Sequence, residues 1–411
     1  GSENIVSCGS FTTDGTGVAT VDLGFEPQWI LAKETAVARG WSMLDTMRGL
    51  GVGQTSGSNN VLYANASDAE DAGTTRYFNP SATGFTTKAH ISSTYIYIAI
   101  RRPMKTPEAG TEVFGVDTRG RLNTVVPGYD TTFPIVDLAI VNDITGGSFG
   151  TSARLTGTSV VYTNTTASES TGSNAKFDYM NGWYGFAGTN ADQISWMFKR
   201  ATGFMDVVAQ VGNGVGGASW NHNLGVVPEM IIGKNRTDNS VDWAVYHHGV
   251  NGGVDPADWQ LQLNDTAAQY DYNGYWDDVL PTTTHFTTGG SVNTNLTGKE
   301  YIFYLFATLA GVSKVGSYTG TAASLNINMG FAAGARFFLT KRTDATGDWY
   351  FWDYFRGIVA GNDPYMLLND SAAQVTNTDY VDPLAAGITL TAAGSSTINV
   401  SGGTYIFLAI A

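Results

Sequence analysis

The chain has 411 residues, a formal net charge of −14 and a pI of about 4.6, and only 14% of its residues are charged. This acidic balance argues against a nucleic-acid partner, because the one short basic stretch, Arg101, Arg102 and Lys105, is too small to form a basic stripe. The single cysteine, Cys8, excludes an internal disulfide framework. No apolar run reaches the roughly 18 residues that a membrane span needs, so we expect no membrane insertion.

The composition favours short strands joined by turns. The chain contains 50 Gly, 20 Tyr, 20 Phe and 10 Trp, and Ser, Thr and Asn are frequent. No segment keeps apolar residues at helical spacing without a Gly or Pro, so long helices are not expected. The predicted strands fall into four similar units.

The first unit opens with Cys8–Thr35, which reads as strand, Gly-rich turn, strand, corner and strand. An aromatic strand at Trp41–Gly49 and an alanine-containing segment from Val61 follow. The unit closes with Thr94–Arg102, a run of aromatic and β-branched residues that is typical of a strand. Because Cys8 aligns with Val315 of the fourth unit, we expect it to be a small core residue.

The second unit, roughly Thr111–Ala201, is the divergent copy. It keeps an apolar strand at Ile135–Asp143, an aromatic segment at Phe177–Phe186 and a closing strand at Gln193–Arg200, but it lacks a clear tryptophan strand. We expect the same fold here with a less regular sequence.

The third and fourth units repeat the pattern of the first most clearly. In the third unit the successive segments are Val211–Thr237, Asp242–Gly249, the stretch from Leu261, and Glu300–Ala307. In the fourth they are Val315–Thr343, Asp348–Gly357, the stretch from Met366, and Thr404–Ala411.

These elements predict an all-β fold of four tandem, partly degenerate β-sandwich, jelly-roll-like units of about 100 residues, a size at which one sandwich buries its own core. The predicted boundaries are 1–102, 103–202, 203–308 and 309–411. The period is longer than a propeller blade, so we expect beads or tightly paired sandwiches and not one closed ring. Short junctions predict that units two to four are fixed against each other.

Four stretches carry a resemblance to a known family. They are Thr94–Pro103, Ser195–Val208, Trp220–Lys234 and Trp243–Trp259. They resemble a repeated β domain of structural proteins of tailed bacteriophages, often phages of marine bacteria. The resemblance covers most of the chain and is weakest in unit two.

The resemblance implies a virion protein that is made in the host cytoplasm and assembled with other virion proteins into an extracellular particle. A tail-fibre or appendage module that adheres to the host surface, through glycans, is the leading hypothesis. A capsid decoration or head-fibre protein is one alternative, and a capsular polysaccharide depolymerase is another. The family supplies no catalytic residues and no cofactor that could be carried over.

An enzymatic interpretation needs two suitably spaced carboxyl groups, as in glycosidases. The candidate groups are Asp277 with Asp278, Asp68 with Glu70 and Asp71, and Asp363 near Asp353. None of these groups recurs from unit to unit, so we expect neither an enzyme nor a cofactor.

The densest polar cluster is His247 and His248 with Asp255 and Asp258. Adjacent strand residues point to opposite faces, so the two histidines are poorly placed to share a metal ion. Asp271–Asp278 does not match a twelve-residue calcium loop and reads as an Asn-Gly turn. We therefore predict no metal site.

Aromatic residues have two interpretations. Trp41, Trp243 and Trp349 occupy equivalent positions before the aromatic strand, which favours a core role. Less regularly placed aromatic rings beside acidic or amide groups suit a sugar surface, because sugar C–H faces stack on rings. This glycan-binding set is Trp259, Tyr272, Tyr275, Trp276, Asp277, Trp352 and Tyr354. Packing between units explains these residues equally well.

A homotrimer is compatible with a fibre. Coiled-coil heptads are absent from the sequence, so we expect an oligomer to form either through sandwich faces or through parts of the protein outside this sequence.

Overall fold

A computed structural model describes residues 5–52, 60–71, 77–118, 127–171, 175–185 and 192–411. Over these residues the chain is all-β, with eight antiparallel sheets. Helical structure in this part is limited to short 3₁₀ turns at Gly110–Glu112, Arg154–Thr156, Val250–Gly253, Pro256–Asp258 and Ala392–Ser396. None of the described helical segments is long and apolar enough to cross a membrane. The predicted all-β fold of four paired-sheet units is confirmed.

The strands of the first two units are short. Unit 1 contains β1 (Val6–Thr12), β2 (Val18–Asp22), β3 (Pro27–Glu34), β4 (Ser42–Asp45), β5 (Leu62–Tyr63), β6 (Tyr77–Ser81), β7 (Gly84–Lys88) and β8 (Thr94–Arg101). Unit 2 contains β9 (Phe114–Thr118), β10 (Tyr129–Asp130), β11 (Leu138–Asp143), β12 (Gly150–Ala153), β13 (Val161–Tyr162), β14 (Gly182–Trp183) and β15 (Gln193–Phe198).

Units 3 and 4 follow the same order of elements. Unit 3 contains β16 (Met205–Val211), β17 (Ala218–Asn221), β18 (Met230–Asn235), β19 (Ala244–His247), β20 (Trp259–Gln262), β21 (Tyr270–Asp271), β22 (His285–Thr288) and β23 (Glu300–Phe306). Unit 4 contains β24 (Ser313–Thr319), β25 (Leu325–Asn328), β26 (Phe337–Arg342), β27 (Trp349–Asp353), β28 (Met366–Leu367), β29 (Val381–Leu384), β30 (Gly387–Leu390) and β31 (Thr404–Ile410).

Each unit pairs one large sheet with one small sheet. The large sheets have the orders β1-β8-β3-β4-β5, β13-β12-β11-β15-β9, β16-β23-β18-β19-β20-β21 and β24-β31-β26-β27-β28. The small sheets are β2-β7-β6, β10-β14, β17-β22 and β25-β30-β29. In every large sheet the closing strand of the unit lies beside its opening strand, so each unit closes on itself. The sequence-derived boundaries at 102, 202 and 308 fall between a closing strand and the next opening strand, and they stay predictions of where the units divide.

Successive residues of a closing strand in units 2, 3 and 4 face two different hydrophobic cores in turn. In β23, Tyr301, Phe303 and Leu305 face the core that unit 3 forms with its own small sheet. Ile302, Tyr304 and Phe306 face the opposite way, into a core shared with other units. Because a closing strand of these units is covered on both faces, it carries apolar residues on both, and this explains the continuous apolar runs in these strands.

The shared core is formed by the large sheets of units 2, 3 and 4. We call these three units together the three-unit ring, or the ring. Its members include Trp196 of unit 2, Tyr304 of unit 3 and Leu408 of unit 4. Residues of all three units line a small apolar cavity of about 40 Å³. The expectation of beads or paired sandwiches without a closed ring is therefore wrong, whereas the predicted fixation of units two to four is confirmed.

A cycle of equivalent backbone hydrogen bonds links the three units. The N–H of Glu169 in unit 2 donates to the carbonyl of Arg236 in unit 3 at 2.8 Å. The N–H of Gln269 in unit 3 donates to Thr343 of unit 4 at 2.9 Å. The N–H of Gln374 in unit 4 donates to Ile144 of unit 2 at 2.9 Å, which closes the ring.

A second cycle runs in the opposite direction across the same junctions. In it, the N–H of Val241 donates to the carbonyl of Thr166 at 3.2 Å, and the N–H of Gly347 donates to that of Thr266 at 2.9 Å. The N–H of Gly147 donates to the carbonyl of Ser371 at 2.9 Å. Six bonds in two repeated patterns therefore give units 2, 3 and 4 an approximate three-fold arrangement.

Unit 1 lies outside this ring. It has its own core around Phe25, Ile30 and Phe85, and it contacts the ring through its loops. The outer face of its large sheet is not covered by the ring, and Cys8 on that face is exposed. The prediction that Cys8 is a core residue is therefore wrong for the single chain.

Candidate functional site

Unit 1 is joined to the ring by a buried group of charged residues. We call it the ionic junction, and its members are Glu26, Arg102, Asp137, Arg154, Arg200 and Asp206. It contains three guanidinium groups and three carboxylates, so its formal charges balance. Arg102 is thus not part of a basic surface stripe, because it pairs with Asp137 at 2.5 Å.

Arg200 lies at the centre of the ionic junction. Its guanidinium donates to both oxygens of Glu26 at 2.8 and 2.6 Å, and its Nε donates to Asp206 at 2.6 Å. Its backbone N–H donates to Asp137 at 2.8 Å. These bonds connect units 1, 2 and 3 through one side chain.

Burial and ion pairing compete in setting the pKa values of the ionic junction. Burial alone would raise the pKa of Asp137, but the charges of Arg102, Arg154 and Arg200 outweigh it and the pKa is lowered. Burial likewise opposes the charged form of Arg200, yet Asp206 and Glu26 raise its pKa. At Arg154 burial dominates and lowers the pKa to about 10. Asp137, Arg154 and Arg200 are therefore charged at neutral pH.

A cleft of about 540 Å³ lies beside the ionic junction, where units 1, 2 and 3 meet. Its floor includes the buried side chains of Arg154, Phe177 and Arg236. Its rim is polar and more exposed, with Arg48 and Glu70 from unit 1. The remaining polar lining comes from Thr46, Asn60, Thr156, Thr158, Ser159, Glu169, Thr171, Lys176 and Asp178.

Hydrogen bonds fix the floor of the cleft. The guanidinium of Arg154 donates to the carbonyls of Phe177 and, at 2.7 Å, Val136, and its carbon lies 5.6 Å from the centre of the Phe177 ring. Arg236 donates to both oxygens of Glu169 at 2.7 and 3.1 Å. The cations of the floor are thus held in place before any ligand arrives.

The rim carries groups that are available to a ligand. Arg48 pairs with Asp45 at 2.6 Å and with Glu70 at 3.0 Å. Lys176 and Asp178 are both exposed and line the cleft. Guanidinium, ammonium, carboxylate and hydroxyl groups therefore surround the same space.

The comparison with protein families bears on most of the chain. The model described as a domain of unknown function, DUF7483, matches residues 5–102 and 151–411. The chain belongs to the DUF7483 family. The unmatched residues 103–150 open unit 2, the copy that diverges in sequence. A search of curated proteins finds no match for this DUF7483 chain.

The predicted glycan-binding residues of unit 3 do not form one surface in the DUF7483 chain. Tyr275 and Trp276 are buried in the core of unit 3. Trp259 is partly buried and packs against the shared core of the ring. Tyr272 is 43% exposed and meets Tyr275 edge-on, with ring centres 5.5 Å apart. Asp277 is half-buried in the turn that follows. The faces of the buried rings are covered by protein, so glycan contact at this place stays a prediction for Tyr272 and its exposed surroundings.

The two predicted residues of unit 4 also separate. Trp352 is fully buried in the core of unit 4. Tyr354 is 36% exposed, and the guanidinium of Arg336 covers its ring at 3.6 Å from the centre. None of the seven predicted residues lines the cleft.

The other candidate groups have structural partners. His247 is buried, and its Nε2 lies 3.3 Å from the carbonyl of Phe407 in unit 4. Asp353 pairs with Arg356 at 2.6 Å and accepts the indole N–H of Trp196 at 2.9 Å. No group of three or more potential metal ligands occurs among the described residues.

Sequence reasoning missed the cleft and the ionic junction. Two signals were present: Arg200 and Asp206 flank the junction of units 2 and 3, and Val160–Ser170 matches the alanine-containing segment of the other units. Asn164 of this segment stands 100 residues before Asn264. Contacts of these loops with other units depend on the ring and are not encoded in the repeat itself.

Proposed function

We propose that this chain is a structural module of a tailed-bacteriophage virion, in a tail fibre or another appendage, and that it attaches the particle to a bacterial surface glycan through the cleft. The observation that carries the proposal is the cleft of about 540 Å³ at the meeting of three units. Its volume falls within the range of pockets that bind small ligands or short segments of larger ones.

The chemistry of the cleft supports a saccharide ligand. Sugar hydroxyls donate and accept hydrogen bonds, so they pair with cations, carboxylates and hydroxyl groups in one site. The cleft is lined by the exposed Lys176 and Asp178 and by the buried Thr156 and Ser159. An acidic sugar would additionally pair with the lysine.

A virion setting is supported by the resemblance to phage structural domains and by the surface composition. Only 14% of the residues are charged, and Ser, Thr, Asn and Gly supply much of the remaining polarity. The firm connection of the four units suits a particle component that must transmit contact with a host without unfolding.

Binding to purified surface polysaccharides tests the adhesive role. We expect the wild-type chain to bind the polysaccharide of its host in isothermal titration calorimetry, and we expect Lys176→Ala with Asp178→Ala to weaken binding about tenfold or more. Lys105→Ala with Glu108→Ala is the matched control, because this exposed pair does not line the cleft. Equal loss in both double variants would contradict a role of the cleft.

Location on the particle is a separate question. Immunogold labelling of purified virions would place the chain on the tail if it is an appendage module. Labelling on the head would favour the capsid decoration alternative, and absence from purified particles would refute the virion assignment.

One observation favours the depolymerase alternative. Burial raises the pKa of Asp363 to about 7, a value suited to a general acid. However, both oxygens of Asp363 accept backbone N–H groups, from Val359 at 2.9 Å and Val381 at 3.2 Å. These bonds make Asp363 a brace for its own loop. Release of reducing ends from host polysaccharide, lost in Asp363→Asn, would instead support an enzyme.

A further inference from the structure

The outer face of the unit 1 large sheet is apolar and exposed. Along β8, Ile96 is 41% exposed and Ile98 is 37% exposed, and Ile100 is half-buried. The neighbouring strands add Cys8, which is exposed, and Leu31, which is half-buried. We call this surface the unit 1 face, and its further members are Trp29, Trp41, Met43 and Leu62.

Strand register shows which residues of the other units are equivalent to this face. In unit 1, Ile98 lies opposite Cys8 on one side and Leu31 on the other. In unit 4, Leu408 lies in the same way between Val315 and Leu339.

Units 2 and 3 repeat this register. Tyr304 of unit 3 lies between Val207 and Ile232, and Trp196 of unit 2 lies between Val116 and Ile140. The sheets of all four units therefore present the same positions on the same face.

In units 2, 3 and 4 these positions form the shared core of the ring. Trp196, Tyr304 and Leu408 are each at most 3% exposed, whereas their counterpart Ile98 is 37% exposed. The same contrast holds for Ile194, Ile302 and Ile406, which are buried, against Ile96. One face in four thus lacks the cover that its three equivalents obtain from each other.

The residues that carry the equivalent hydrogen-bonding groups at the edge of this face are exposed as well. The ring is joined by the N–H groups of Glu169, Gln269 and Gln374, which correspond by position to Glu70 of unit 1. Their acceptors, the carbonyls of Arg236, Thr343 and Ile144, correspond to Thr35. Glu70 and Thr35 are both exposed, as is the whole segment 64–70.

Tryptophan contacts give a third correspondence. The indole N–H of Trp243 in unit 3 donates to the carbonyl of Tyr162 in unit 2 at 2.9 Å. That of Trp349 in unit 4 donates to Gln262 of unit 3 at 2.9 Å. The unit 1 counterparts are Trp41 and Tyr63, which are neighbours across the β4–β5 pairing of one sheet. In the ring the indole donor and its carbonyl acceptor belong to different units, so the equivalent bond of Trp41 needs the Tyr63 carbonyl of another copy.

We propose that three copies of this chain associate through the unit 1 face, so that three first units reproduce between chains the ring that units 2, 3 and 4 form within a chain. Each Glu70 N–H then donates to Thr35 of a neighbouring copy, and each Trp41 indole donates to Tyr63 of a neighbouring copy. Cys8 becomes a core residue in this trimer. The inference does not depend on what the cleft binds.

The number of copies follows from the internal ring. Three sheets with these faces close a core in which every face is covered, whereas two would leave part of each face exposed. Charge on the face is low: Lys33 is the one charged residue that β1, β8 and β3 present between their apolar positions, and Asp45 of β4 is paired with Arg48. The equivalent Lys234 and Lys341 of the ring are buried and donate to backbone carbonyls, so a lysine at this position is compatible with a closed core.

The mass of the full chain in solution tests the trimer. By light scattering after size exclusion, we expect about three times the chain mass of 43.7 kDa. Ile98→Glu should give the mass of one chain at the same concentration, because three carboxylates would meet in a closed core. Ile91→Glu is the matched control, since Ile91 is 64% exposed and precedes β8 outside this face. Circular dichroism must show that both variants are folded.

Two further measurements keep the proposal falsifiable if Ile98→Glu unfolds. Glu70→Pro removes the N–H donor, whereas Glu70→Ala keeps it, and both lose the Arg48 ion pair. We expect only the proline variant to raise the dissociation constant, by about tenfold or more. Cys8 in the wild-type trimer should react with a maleimide at least about tenfold more slowly than in the monomeric variant.

Several results would overturn the proposal. They are a wild-type mass of one or two chains at all concentrations tested, a trimer that survives Ile98→Glu, or rapid labelling of Cys8 in a trimer. A stable complex of the face with a different protein, in place of a second copy, would also refute it.

Discussion

Glu26 binds both terminal nitrogens of the Arg200 guanidinium, at 2.8 and 2.6 Å, although the two residues are 174 positions apart. Both side chains are almost completely buried. A buried carboxylate and guanidinium in this geometry stabilise each other, and removing one leaves the other without a partner. This pair attaches unit 1 to the ring.

Glu26→Ala should therefore lower the free energy of unfolding by about 3–5 kcal/mol. The physical reason is that Arg200 keeps its charge in a buried place with one ion-pair partner fewer. Urea denaturation followed by tryptophan fluorescence measures the change. Glu108→Ala serves as the control, since Glu108 is largely exposed in its pair with Lys105 and should cost less than about 1 kcal/mol. A similar cost in both variants would show that the ionic junction does not stabilise the fold.

Acid should destabilise the protein through His247. Burial, together with the neighbouring His248, lowers the pKa of His247 from its ordinary value of 6.5 to about 3. Between these two values the unfolded chain binds the proton and the folded chain does not, so stability is lost as the pH falls from about 6.5 towards 3. The loss amounts to a few kcal/mol, since each pKa unit corresponds to about 1.4 kcal/mol.

His247→Gln is the variant that isolates this effect. Glutamine can still donate to the carbonyl of Phe407 but does not titrate, so the fall in melting temperature between pH 6.5 and pH 5 should become shallower. Carboxylates such as Asp137, whose pKa is lowered, contribute only at lower pH, around and below the ordinary value of 3.8. An unchanged slope in the variant would contradict the assignment to His247.

The repeat made the four-unit fold predictable because strand runs such as Thr404–Ala411 combine a β pattern with a fixed spacing. The repeat did not reveal the ring, because a strand that is apolar on both faces has the same sequence pattern whether its second face packs on another unit or on another chain. β8 and β23 illustrate this: both read as buried strands, yet Ile98 is exposed and Tyr304 is not. The sequence also did not reveal the unit 2 equivalent of the core tryptophans, because Phe149 takes the place of Trp243 there. Phe149 packs against Phe351 of unit 4, with the centres of the two aromatic rings 5.7 Å apart.

The candidate site was less predictable than the fold. Arg154, Glu169 and Arg236 line the cleft from separate loops of units 2 and 3, and no local motif joins them. The aromatic residues that do form local clusters, such as Tyr275 and Trp276, proved to be core residues. An aromatic ring beside an acidic residue is common to sugar sites and to the ends of buried strands, so the sequence alone does not separate the two.

Alkaline pH should stabilise the protein over a limited range. Burial lowers the pKa of Lys234 and of Lys341 to about 8 each, from an ordinary value of 10.5. Between these values the unfolded chain binds more protons than the folded chain, so the free energy of unfolding rises with pH from about 8 towards 10. Buried tyrosines oppose this only above about pH 10, where the unfolded phenols ionise.

Urea denaturation at pH 7.5 and pH 9.5 measures the effect of the two lysines. The wild-type chain should become more stable at the higher pH, and Lys234→Met with Lys341→Met should abolish most of the gain. Lys88→Met is the control because Lys88 is exposed. A gain that persists in the double variant would assign it to other groups.

Loss of an indole donor at a unit junction should cost more than loss of an indole inside a unit. Trp349→Phe removes the hydrogen bond to the carbonyl of Gln262, which lies in a different unit and is left unpaired, so we expect a loss of about 2–3 kcal/mol. Trp276 is equally well buried, but its indole nitrogen has no hydrogen-bond partner among the described residues. Trp276→Phe removes that unsatisfied group together with a similar volume and should cost less. Urea denaturation of both variants, with circular dichroism to show that the sheets are intact, makes the comparison. If Trp276→Phe proved the more costly change, ring size and not the bond between units would determine the stability at these positions.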